Sequence, residues 1–145
     1  LRRQLQLSLN HSHQQQQPLS LIAVDLDGFD AINQRFGHGE GDELLQAVSQ
    51  LLLLNLRPQD LLCRLAGDRF VVLLPATCES QANQLAEELR LAVRHLAHRT
   101  RRQGERLQLS ASVASTMAVD DSPESLLQRL NLALARAKQP LALSA

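Results

Sequence analysis

The stretch LSLIAVDL, residues 19–26, is an almost unbroken apolar run that ends in acids. A strand with one face in water alternates apolar and polar residues. This one does not, so it reads as a buried strand at the centre of a sheet. Downstream, LLCRL and FVVLLP flank Ala66-Gly67-Asp68-Arg69. Two short apolar runs around a Gly-Asp pair predict a β-hairpin, with Gly67 supplying the positive φ of a tight turn. Asp25 and Asp27 stand at the end of the first strand on one side of it, and Asp68 stands at the hairpin tip. With the hairpin beside the central strand, Asp25 and Asp68 come together.

The remaining pattern alternates helices with these strands. Residues 1–18 read as a helix, LRRQLQLSL, and a polar tether, NHSHQQQQP, whose two His are read as solvated. FDAINQRF predicts a short helix closed by Gly37. A longer helix follows from about Glu40 to Leu56, with Leu44, Leu45, Val48, Leu51 and Leu52 on one face. After the hairpin a helix is expected over 79–98, then an exposed cationic loop, HLAHRTRRQGER. LQLSASV (107–113) alternates as a strand. Ser122-Pro123-Glu124 opens a last helix that Pro140 ends, and LALSA reads as an edge strand. The fold class is therefore α/β (α+β). The division expected is an N-terminal helix and linker over 1–18 and a domain over 19–145. The chain opens on LRRQL without Met, which reads as a piece of a longer multidomain protein.

Composition removes several function classes. Fifteen Lys and Arg balance fifteen Asp and Glu, so there is no general attraction to phosphate backbones or anionic membranes. With three Phe and no Trp or Tyr, the chain lacks the aromatic platform of a single-strand nucleic-acid binder. Nucleic acid is not an expected partner. Cys63 and Cys78 have no zinc-ligand spacing around them. They read as small buried apolar residues of a reducing compartment, either the cytoplasm or the cytoplasmic part of a membrane-anchored protein.

Two carboxylates and a backbone carbonyl make a hard oxygen site of the kind that holds magnesium, the usual partner of a nucleoside triphosphate. The plainer reading is that strand-end acids only cap loops. A wider pattern bears on that choice. VDLDGFDAINQRFGHGEGDELL, the hairpin RLAGDRFVVLLP and the closing ALARAK resemble, in the same order, the GGDEF domain of diguanylate cyclases, over about residues 19–138. That family joins two GTP molecules into cyclic di-GMP on a central mixed five-stranded sheet surrounded by helices. The resemblance implies that Asp25, Asp68 and the carbonyl of Leu26 hold Mg2+ if GTP is bound. It further implies that Asn33 and Asp42 read the guanine edge, and that Lys138 contacts substrate.

Other positions depart from the family. The fourth signature residue, normally Glu, is Arg69, and the first glycine is Ala66. Asp30 and Ala142 stand where basic residues are usual. Replacing Glu by Arg removes a ligand charge and adds a cation, so a weak or absent cyclase is expected, with Arg69 a degenerate catalytic position. Upstream, Arg57-Pro58-Gln59-Asp60 matches the family's R-x-x-D inhibitory site for cyclic di-GMP, with Arg90 the nearest helper arginine. By local pattern alone the same segment is a helix end, a Pro stop and a turn Asp.

Three functions follow from the resemblance. The domain senses cyclic di-GMP through Arg57 and Asp60, or it binds GTP in the vestigial active site, in either case regulating an adjacent sensor or EAL-type phosphodiesterase domain. Alternatively it is a living diguanylate cyclase working as a homodimer. A structural dimerisation domain is weaker, because Asn33 and Asp42 are both retained.

Overall fold

The computed structural model describes residues 1–138. The expected LALSA strand, Pro140 and Ala142 lie outside the described residues. Strand β1 (Leu19–Asp27) is central in a four-stranded sheet of order β2-β3-β1-β6, where β2 is Leu61–Ala66, β3 is Arg69–Pro75 and β6 is Ser110–Met117. Every pair is antiparallel. The expected mixed, five-stranded sheet is therefore corrected to an antiparallel, four-stranded one among the described residues. A separate ribbon pairs β4 (Arg101–Arg102) with β5 (Glu105–Arg106) in what read as a loop.

Period-two alternation explains why β1 looked apolar throughout. Its even residues Ile22, Val24 and Leu26 join Phe70, Val72 and Leu74 beneath α2 (Phe29–Phe36), α3 (His38–Leu54) and α4 (Glu79–Arg99). Its odd residues Leu19, Leu21 and Ala23 join Val71 and Leu73 beneath α1 (Arg2–Gln15) and α5 (Pro123–Ala137). Helices cover both faces, so neither can be polar. Asp25 is odd-numbered and sits opposite Arg69 in register. Both side chains thus point to the α5 side of the sheet.

Helix α1 continues through the Gln-rich stretch expected as a tether and ends at Gln16 in a left-handed conformation, before Pro18. Leu5 and Leu9, one turn apart, are fully buried with Leu126, Leu130 and Leu134 of α5. Packing of that apolar pair extends the helix over residues whose composition alone suggests a coil. The two cysteines are free and half-buried rather than buried. Cys78 starts α4, where Gln81 Oε1 accepts from its amide at 3.0 Å. Among the described residues no helix is long and apolar enough to cross a membrane.

Candidate functional site

The hairpin tip closes with Ala66 paired to Arg69 after an irregularity between Arg64 and Ala66. Gly67 has no positive φ, contrary to the expectation from the Gly-Asp pair. A side chain of the hairpin itself holds the tip instead: the Arg64 guanidinium, on β2, donates to the carbonyls of Ala66 and Gly67, at 3.3 and 3.1 Å. The amide of Leu26 donates to the carbonyl of Asp68 at 2.9 Å, stitching the tip to the end of β1. Asp25 and Asp68 therefore stand at one end of adjacent strands, as the spacing predicted.

The register then delivers a cation as well. Arg69 Nη2 lies 3.0 Å from Asp25 Oδ2, and Lys138 Nζ, just past α5, binds the same oxygen. The Asp25 side chain is 8% exposed, whereas Arg69 and Lys138 are 34% and 40% exposed. One buried carboxylate thus sits behind two cations that reach solvent. Burial pushes the Asp25 carboxyl up, but the hydrogen bonds and charges of Lys138 and Arg69 outweigh it and hold it below its ordinary 3.8. Neighbouring Asp27 is tied into the sheet, accepting from Ser112 Oγ at 2.6 Å.

A pH dependence follows from this depression. The folded carboxyl releases its proton more readily than the unfolded one, so its stabilisation is complete above 3.8 and is lost as pH falls through the depressed value. In Arg69→Ala one of the two cations is gone, and the Asp25 carboxyl should titrate at higher pH. Carboxyl-carbon NMR across the acid range measures this, and an unmoved midpoint would contradict the ion pair.

Magnesium can be tested against these donors. Asp25 Oδ2 is already shared by two cations, and among the described residues no three His, Cys, Asp or Glu side chains converge on one point. Holding a dication through Asp25, Leu26 and Asp68 would require displacing Arg69 and Lys138 or seating it against them. The set does not fit a resident divalent cation.

Helices α2 and α3 carry the other half. Asn33 lies over Gly41, and a Cβ on Gly41 would stand 1.7 Å from Asn33 Oδ1. That oxygen is buried without a hydrogen-bond partner, an acceptor left open at a cost unless a donor arrives. Asp42 follows Gly41, is exposed, and lines a groove of about 610 Å³ with Leu45, Gln46, Ser49, Gln50 and Arg64. The helix pair therefore brings Asn33 beside the residue preceding Asp42, with Gly41 making the approach possible.

Arg57 and Asp60 are also together. The Asp60 carboxylate, 1% exposed, takes Arg57 Nη2 at 3.0 Å and the Arg57 amide at 2.8 Å. The same Nη2 donates to the Pro75 carbonyl and to Thr77 Oγ1, at 2.8 and 2.6 Å. Beside them is a groove of about 250 Å³ that includes Asn55, Gln81 and Leu85. Arg90 does not join it. It pairs with Glu87 at 2.5 Å and lines a separate groove with Asn83, Val113 and Ser115. Nine residues beyond Gln81 on one helix is about half a turn off in direction, so the two faces oppose. Thr77 and Gln81 were missed in the sequence, where neither carries a charge or a motif.

The geometry can be set beside known proteins. A model of the family described as "Diguanylate cyclase, GGDEF domain" matches residues 1–141. The response regulator PleD of Caulobacter vibrioides is 37% identical over 123 residues, covering 83% of this chain and 27% of PleD. The diguanylate cyclase DgcP of Pseudomonas aeruginosa is 34% identical over 140 residues, covering 96% of this chain and 21% of DgcP. The chain thus spans about a quarter of the length of these relatives. The solved structure of the active GGEEF domain of a diguanylate cyclase from Vibrio cholerae superposes with a TM-score of 0.85 at 28% identity, covering 95% of this chain and 87% of that one.

Proposed function

The chain belongs to the GGDEF diguanylate cyclase family, and from that premise we propose that it is a signalling domain of cyclic di-GMP systems that binds guanine nucleotide without cyclising it. One observation carries this reading: Asp25, the acid that the family motif assigns to metal, is held by Arg69 and Lys138 instead. Joining two GTP molecules needs a 3′-hydroxyl activated for attack and charge stabilised on the phosphate under attack. An acid at position 69 could serve the first need, and Arg69 cannot. Binding is the part that remains. The open acceptor on Asn33 and the exposed carboxylate of Asp42 suit the N–H donors on guanine's edge, and Lys138 and Arg69 suit its phosphates. The occupied domain would act on a sensor or EAL-type phosphodiesterase domain elsewhere in a longer protein.

Incubation with GTP and magnesium, followed by nucleotide chromatography, is expected to yield no cyclic di-GMP. Calorimetry should nonetheless register GTP, with affinity falling about tenfold in Asn33→Ala as one buried hydrogen-bond partner is lost. Appearance of cyclic di-GMP would return the chain to the active cyclases, which act as pairs of subunits with one GTP on each.

A second reading is favoured by Arg57 and Asp60, which are paired beside a groove with Thr77 and Gln81. Arg57, 44% exposed, can turn its remaining donors to guanine acceptors or phosphate, while the buried Asp60 carboxylate holds it in place. In that reading cyclic di-GMP, rather than GTP, is the signal.

A further inference from the structure

The triad of Asp25, Arg69 and Lys138 has the wrong polarity for a cation and the right one for an anion. Its carboxylate is buried, and the groups that reach solvent are a guanidinium and an ammonium. Among the described residues Asp25 is the one hydrogen-bond partner of the Arg69 side chain, through Nη2. A guanidinium has five N–H donors, so most of this one is free for phosphate oxygens. Of the three acids at this strand end, Asp25 carries both cations and Asp27 is tied to Ser112 Oγ, so Arg69 and Lys138 are the charges presented to a ligand beside Asp68.

We propose that Arg69 and Lys138 are built-in counterions that let this site take the phosphates of a guanine nucleotide without a divalent cation. Asp25 then acts as the positioning residue that holds both cations at the strand end. The inference rests on the guanine-nucleotide reading above and adds that binding is independent of metal. Arg69→Glu removes one positive charge and adds one negative, a change of two units. That is the charge of one divalent cation, so the variant should regain a need for it.

The test is calorimetric titration of the chain with GTP, once with EDTA and once with excess magnesium. Affinities in the two buffers should agree within about threefold. Arg69→Glu should bind GTP only with magnesium. Arg69→Ala, which removes the cation without adding an acid, should bind about tenfold more weakly in EDTA. Paramagnetic resonance with Mn2+ and no nucleotide gives a readout that does not depend on GTP. The unaltered chain should leave Mn2+ free, and Arg69→Glu should immobilise it. GTP binding that vanishes in EDTA, or Mn2+ held by the unaltered chain, would overturn the inference and leave the guanine reading standing. Absence of GTP binding in both buffers would remove both.

Discussion

Gly28→Ala is expected to cost about 3 kcal/mol of stability, lowering the melting temperature by roughly 12 °C for a chain of this size. Gly28 makes the corner between β1 and α2 with φ +84°, where an L residue costs about 1 kcal/mol. A Cβ there would also lie 2.6 Å from the carbonyl oxygen of Gln108. That oxygen cannot easily retreat, because Leu107 and Leu109 on either side of it are both buried in the core under α2, α3 and α4. Gly104→Ala supplies the comparison. Gly104 has φ +83° but nothing within 4 Å, so only the conformational cost of about 1 kcal/mol applies. Thermal unfolding followed by circular dichroism reads both variants. Equal losses would mean that the Gln108 contact has no weight.

That glycine lies within DLDGF, whose acids could be read from the sequence while its backbone requirement could not. The difference is physical. Strand run, hairpin and amphipathic helices are local patterns, so β1, the hairpin, α2 and α5 stand within a few residues of expectation. Helix α1 overran its expected end because burial of Leu5 and Leu9 against α5 comes from partners far along the chain. The β4–β5 ribbon was missed because its strands are two polar residues each. Its turn is legible only in hindsight, through Gln103 and Gly104 at φ +54° and +83°.

The site was legible by the same division. Asp25 and Asp68 could be placed together because one ends the apolar central strand and the other stands at the tip of the hairpin expected beside it. The Asp25–Arg69 pair needed the register that sets Leu19 against Pro75, and no residue type announces a register. Lys138 reaches Asp25 across 113 positions of sequence. It could be named a substrate contact by resemblance, but not a partner of Asp25. Arg90 failed for the converse reason, since nearness in sequence says nothing about which face of α4 a residue occupies.

Arg57→Ala is expected to destabilise the fold by about 2 kcal/mol, or roughly 8 °C in melting temperature, whether or not cyclic di-GMP is a ligand. Asp60 is almost wholly buried and would keep its hydrogen bond from the residue 57 amide but lose the guanidinium. Losing one partner of a fully buried pair costs about 3–5 kcal/mol, and the 44% exposure of Arg57 lowers the figure here. The guanidinium also bridges Pro75 and Thr77. Thr77 accepts from the Ser20 hydroxyl at 2.8 Å through its carbonyl, so the loss reaches the start of β1. Arg57→Lys keeps a charge for Asp60 but lacks the fork, and should recover about half of the loss. A structural role alone makes melting temperature fall and leaves cyclic di-GMP without effect on the unaltered chain. A ligand role adds a rise in melting temperature with cyclic di-GMP that Arg57→Ala abolishes. An Arg57→Ala chain as stable as the original would show that Asp60 does not need its partner.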